Sequence, residues 1–293
     1  MLKQRIITAA ILIPLVLGAV LYLPVMGFAI GSALVLMLAG WEWSILSGIK
    51  NFTGRLFYLG LLLLLFFATH FINSEWILVV ASVWWLLIAP LAMIKFLPDK
   101  ISPARTKVAR PATQVEHAAP LEESQRAASG ANPRGFYVKL NCFYRAMMGL
   151  FILLACWQGL IIVREHGPSY LLFMLVMVWI VDSAAYFIGK AWGKHALAVK
   201  ISPNKTLEGA IGGVAAALIF ASIMHFIFHD LVLVTVLTAL ASITGDLFES
   251  MMKRLAGVKD SGRLVRGHGG VLDRIDSLIA AAPVFALGLI FFS

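Results

Sequence analysis

The sequence predicts an all-α integral membrane protein of about nine transmembrane helices with its N-terminus in the cytoplasm, and three observations carry that expectation. Of its 293 residues, 60% are hydrophobic and 13% charged, with a mean hydropathy of +0.89; soluble domains are about half apolar and a quarter charged. The apolar residues fall in runs long enough to cross a bilayer. Threaded in alternation, those runs leave nearly all basic residues on one face. The first observation alone excludes a water-soluble enzyme.

The apolar runs cover residues 6–23, 25–46, 56–72, 76–97, 143–163, 170–188, 211–228, 231–247 and 278–292. Most are near the roughly 20 residues that cross about 30 Å of hydrocarbon, and the last is the shortest. With the N-terminus inside, 23 of the 24 Lys and Arg lie on the cytoplasmic side and only Arg164 lies outside. That is the positive-inside bias, and shifting one central span would scatter the charges over both faces. The formal net charge of +9 is therefore read as orientation, not as a nucleic-acid surface.

Lys3 and Arg5 before an apolar run also fit a secretory signal, but no small-x-small cleavage site is followed by a soluble chain, so an uncleaved first span is expected. Residues 1–97 then hold the N-terminal helices, about four. Residues 98–135, rich in Pro, Ala, Ser and Arg, read as a disordered basic cytoplasmic loop that is too poor in apolar surface to fold alone. Residues 136–293 form a C-terminal catalytic region of about five helices, with a signature loop at 245–277. Cys142 and Cys156 have no zinc-like spacing and read as structural.

Polar chemistry concentrates between Asp182 and Ser277. Acids in or beside a span are costly and count as functional candidates by default. Asp182 opens a stripe with Ala185, Tyr186 and Gly189 at helical spacing. Ser202-Pro203-Asn204-Lys205-Thr206 precedes the seventh span; Ser202 reads as a helix N-cap with Pro203 at N1, a phosphate-friendly end to which Lys205 adds a point charge. The following Gly212-Gly213 pair suits close helix packing.

The third cluster is the richest. Asp246, Glu249, Ser250 and Lys253 recur at i, i+3, i+4 and i+7, and Asp273 and Asp276 repeat an i, i+3 pair after Gly267-His268-Gly269-Gly270. Carboxylates from two elements beside Lys253, Arg254, Lys259, Arg263, Arg266 and Arg274 suit a hard divalent ion and a polyphosphate together.

The stretch from Ser250 through Lys253-Arg254, Lys259-Asp260, Gly262 and His268-Gly269-Gly270 to Asp273-Arg274 and Asp276 resembles the signature of phosphatidate cytidylyltransferases, the CDP-diacylglycerol synthases. The resemblance extends to Asp182-Ser183-Ala184-Ala185-Tyr186, to Ser202-Pro203-Asn204-Lys205-Thr206 and to Gly245-Asp246, about the last 120 residues. Arg266 and Val265 depart from it, standing where Pro or Gly and a larger apolar residue are usual.

The resemblance implies transfer of CMP from CTP to phosphatidic acid, giving CDP-diacylglycerol and pyrophosphate in phospholipid biosynthesis. It implies a multi-pass protein of the bacterial cytoplasmic (inner) membrane, with CTP, phosphatidic acid and membrane lipid as partners, no nucleic acid, and a homodimer. It places Mg²⁺ at Asp246 and Asp273, with Asp276, Glu249 and Asp182 as further ligand candidates and room for a second cation. Catalytic roles fall on Lys205, Asp246, Asp273, Lys259 and His268, and substrate binding on Ser202, Asn204, Lys205, Ser250, Lys253, Arg254 and Arg274. The alternatives are a CTP transferase acting on a different membrane lipid and a cation- or proton-coupled transporter.

Overall fold

The computed structural model describes residues 13–69, 71, 75–94, 141–228, 231–262 and 269–292. Lys3, Arg5, the 98–135 loop, Val265, Arg266 and His268 lie outside them.

The described residues form nine helices: α1 (Ile13–Tyr22), α2 (Val25–Ser47), α3 (Phe52–Ala68), α4 (Glu75–Ile94), α5 (Cys142–His166), α6 (Pro168–Trp192), α7 (Leu207–Phe226), α8 (Val232–Ala256) and α9 (Leu272–Phe292). Seven of these are long and apolar enough to cross a membrane; α1 and α3 are shorter. Each helix falls on one of the expected runs. Two ends differ. The last helix has 21 residues, longer than its apolar run, because Asp273 and Asp276 lie inside its first turns instead of before it. Helix α8 likewise continues past Leu247 to Ala256 and carries Glu249 and Lys253 on helical backbone.

A short antiparallel hairpin, β1 (Ala196–Ala198) and β2 (Ser202–Thr206), pairs Ala196 with Thr206 and Ala198 with Ser202. This corrects the expected N-cap at Ser202. The segment Ser202–Thr206 is extended, and Thr206 caps α7 by accepting a bond from the Gly209 amide at 3.1 Å. Pro203 suits this edge position because it offers no amide to a ladder. His195 adds a second tie, its Nδ1 lying 2.6 Å from Glu208 in the first turn of α7.

Helix α9 runs through the centre: Ala280, Ala281, Ala282, Phe285 and Ala286 are fully buried. It packs on α8, α5 and α4, while α6 packs chiefly on α7. Small residues allow the backbones to approach, which is how helices associate where lipid removes the hydrophobic drive. At Gly213 a Cβ would stand 2.9 Å from the Val181 carbonyl of α6, so the Gly212-Gly213 pair does serve close packing.

Arg145 and Arg164 mark the two ends of α5. Arg145 donates to the Leu46 carbonyl at the C-terminal end of α2, whereas Arg164 donates to the Leu23 carbonyl just after α1. The lone basic residue assigned to the outer face therefore sits at the opposite end of α5 from Arg145, which lies beside the C-terminal end of α2.

Candidate active site

The site is built where α6, β2, α8 and α9 meet. A cavity of about 830 Å³ is lined by Asp182, Tyr186 and Lys190 of α6, Ser202 through Thr206 of β2, and Asp246 of α8. The Asp182, Ala185, Tyr186 and Gly189 stripe does face one side, into this cavity. Lys205 forms an ion pair with Asp246. Its Nζ is otherwise without a hydrogen-bond partner among the described residues, which leaves donors for a phosphate. Asp182 accepts a bond from the Ser277 hydroxyl at 3.1 Å, tying α6 to α9.

A second cluster lies one turn further along α8. Lys253 pairs with Glu249 and, at 2.8 Å, with Asp273. Asp273 also accepts the amides of Ser261 at 3.1 Å and Gly270 at 2.8 Å. Gly269 precedes this with φ of 87°, a left-handed backbone that glycine adopts without steric cost. Of residues 267–270, the described part turns the Gly270 amide onto Asp273.

Asp276 joins the two clusters, for Asp246, Glu249 and Lys205 all act on it electrostatically, as Asp246 and Lys205 act on Asp182. Ser250 lies half-buried on α8; Asn204, Arg254, Lys259 and Arg274 are exposed. Arg254 donates to the Ile201 carbonyl at 3.3 Å, bracing the hairpin against α8. The structure divides the residues singled out from the sequence into two groups: Lys205 with Asp246 and Asp182 at the cavity, and Lys253 with Glu249 and Asp273 behind it.

Among the described residues, no three His, Cys, Asp or Glu side chains stand close enough to hold a metal by themselves. Mg²⁺ asks for less, since it keeps several waters and takes one or two carboxylates plus substrate phosphates. The donor set fits in kind: the carboxylates of Asp182 and Asp246 at the cavity and of Asp273 and Asp276 in the first turns of α9 all offer hard oxygens. Such oxygens beside a phosphate site are what a divalent cation of this kind takes.

Sequence reasoning missed Glu42 of α2, a fully buried acid at 1% exposure that bonds Ser261, Val271 and Leu272. An ionisable residue inside an apolar span, between Trp41 and Trp43, was the available signal. The N-terminal helices grip the site from a second direction as well. Trp43 stacks on Phe248 at 6.3 Å, and Trp84 and Trp85, on a π-helical turn of α4, meet the same ring edge-on at 5.9 and 5.4 Å.

Comparison with known proteins agrees with this geometry. A model of the cytidylyltransferase family matches residues 3–292. A phosphatidate cytidylyltransferase of Pseudomonas aeruginosa is 37% identical over 98% of this chain and 96% of its own, and one of Haemophilus influenzae is 34% identical over 98% of both. A third, from Bacillus subtilis, is 40% identical over 47% of this chain and 55% of its own. With one family covering almost every residue, and with acids and lysines lining one cavity, this multi-pass membrane protein belongs to the cytidylyltransferase family.

Proposed function

We propose that the protein transfers CMP from CTP to phosphatidic acid, releasing pyrophosphate and forming CDP-diacylglycerol for phospholipid biosynthesis. The observation that carries this reading is the cavity in which Lys205 and Asp246 face Asp182, in a chain whose full-length relatives are phosphatidate cytidylyltransferases.

The chemistry asks little of a general base. The phosphate of phosphatidic acid is already ionised, so its oxygen attacks the α-phosphorus of CTP, a new P–O bond forms, and the bond to pyrophosphate breaks with its electrons on the leaving group. Alignment and charge neutralisation are the main demands of such a transfer. Lys205 meets the second demand at the cavity, and Ser202 and Asn204 stand beside it as hydrogen-bonding groups. Lys253, Arg254, Lys259 and Arg274 supply positive charge at the same end for the lipid phosphate and the leaving group, with Ser250 between the clusters. His268 is assigned as a phosphate donor by resemblance.

Mg²⁺, held by Asp246 and Asp273 with Asp182, Glu249 and Asp276 as neighbours, would neutralise the CTP phosphates. The reading leaves room for a second cation beside it. Nine spans with the N-terminus inside put this end on the cytoplasmic face of the bacterial inner membrane, where CTP is available, and the same reading makes the protein a homodimer.

The test uses purified protein in detergent with phosphatidic acid, labelled CTP and Mg²⁺, following CDP-diacylglycerol and pyrophosphate. Equal yields of both products, abolished by EDTA, are expected. No product from phosphatidic acid, with turnover of another lipid, would refute the substrate.

A further inference from the structure

We infer that Glu42 is a positioning residue of the active site: from α2 it fixes the two segments on either side of residues 263–268 and, through them, Asp273. The inference rests on the cytidylyl-transfer reading and names a residue that acts at that site without touching substrate.

A carboxyl group inside an apolar helix is expensive unless its oxygens are satisfied. Those of Glu42 are, and among the described residues its hydrogen bonds come from the far end of the chain. Oε2 accepts the Ser261 hydroxyl at 3.1 Å and the Leu272 amide at 2.8 Å; Oε1 accepts the Val271 amide at 3.1 Å. Val271 and Leu272 open α9, so Glu42 caps that helix across more than two hundred residues of sequence. An anion there also meets the positive end of the helix dipole.

Asp273 grips the same backbone from the other side, through the amides of Ser261 and Gly270. Ser261 is thus held twice, by its hydroxyl on Glu42 and by its amide on Asp273. Glycine at 262 and 270 leaves the room, since a Cβ at either position would run into the Glu42 carboxyl group. Glu42 is buried and is not part of the cavity lining among the described residues, and its two oxygens accept three hydrogen bonds from the backbone and side chain around Asp273. Its effect on the reaction passes through the backbone that Asp273 shares.

The experiment compares the full-length protein and Glu42→Gln in detergent. The amide retains the shape but presents N–H groups where Glu42 accepts bonds from N–H and O–H groups. A fall in kcat of about tenfold is expected, the scale of one charged hydrogen bond, with KM for CTP moving less than about threefold. Hydrogen–deuterium exchange should quicken about tenfold at residues 269–272, by the same free energy, and remain unchanged in α5. Ser261→Ala breaks the same contact without altering α2 and should produce a smaller change of the same kind. It decides the matter if Glu42→Gln does not fold.

Unchanged kcat in a folded variant would overturn the inference even if exchange quickened, because the clamp would then be structural only. A fall in kcat with unchanged exchange at 269–272 would also overturn it. If the unaltered protein makes no CDP-diacylglycerol, the functional reading fails, and the exchange data still report separately whether Glu42 holds this backbone.

Discussion

Gly245, immediately before Asp246, packs α8 directly against α9. A Cβ there would stand 2.6 Å from the Asp276 carbonyl oxygen and 2.8 Å from the Ala280 Cβ. Neither neighbour is the end of a flexible side chain, so Gly245→Ala cannot be absorbed by a rotamer change. Restoring an ordinary contact needs α8 and α9 to part by about 0.8 Å, an overpacking that costs roughly 1–3 kcal/mol. The displacement falls between Asp246 on one helix and Asp273 and Asp276 on the other, and a misplacement near 1 Å costs about a hundredfold in rate. Gly245→Ala is therefore expected to lower kcat by at least about tenfold and to lower Tm. The assay is release of pyrophosphate from CTP with phosphatidic acid and Mg²⁺ in detergent, beside thermal unfolding of the same preparation. Gly60→Ala is the control: nothing lies within 4 Å of its added Cβ, and alanine in a helix interior gains about 0.5–1 kcal/mol over glycine. A folded Gly245→Ala variant with kcat within about threefold of the unaltered protein would refute the claim that close α8–α9 contact sets the carboxylate geometry.

Asp246→Asn and Asp273→Asn are each expected to lower activity by at least about a hundredfold, the scale of lost electrostatic stabilisation in a polar site, while membrane insertion is retained; full activity of both in the CDP-diacylglycerol assay would sink the metal assignment. Lys205→Met removes the ammonium paired with Asp246 and should cost about a hundredfold in kcat/KM for CTP. With Lys205 gone, Asp246 loses its paired cation, so calorimetry should show Mg²⁺ binding unchanged or tighter, and weaker binding would count against Asp246 as its ligand. Removing divalent ions with EDTA should abolish transfer and adding Mg²⁺ should restore it; EDTA-resistant turnover would exclude the cation from the mechanism.

Hydropathy is a local property of the chain, and for that reason the helices could be read directly: each described helix falls on a run of apolar residues long enough to be recognised. The charged segments between Asp182 and Ser277 were equally plain, because acids, lysines and glycines stand out against lipid-compatible sequence. What spacing could not supply was partnership between elements. Asp246 and Lys253 are seven residues apart and share a helical stripe, yet Asp246 pairs with Lys205 from the hairpin and Lys253 pairs with Asp273 from α9. Ser202-Pro203 has the composition of a helix start, but pairing with Ala196–Ala198 makes it a strand and moves the cap to Thr206.

Sequence alone determined the membrane class, the helical runs and the concentration of acids, lysines and glycines on which the proposed phosphate chemistry rests, since burial in lipid and phosphate binding each demand particular side chains wherever the chain later travels. Only the tertiary structure decided which acid meets which base and that Glu42, in a helix otherwise built for lipid, belongs to the site. Those contacts depend on the rotation and depth of helices packed against one another, and in the Glu42–Leu272 bond they join residues 230 positions apart.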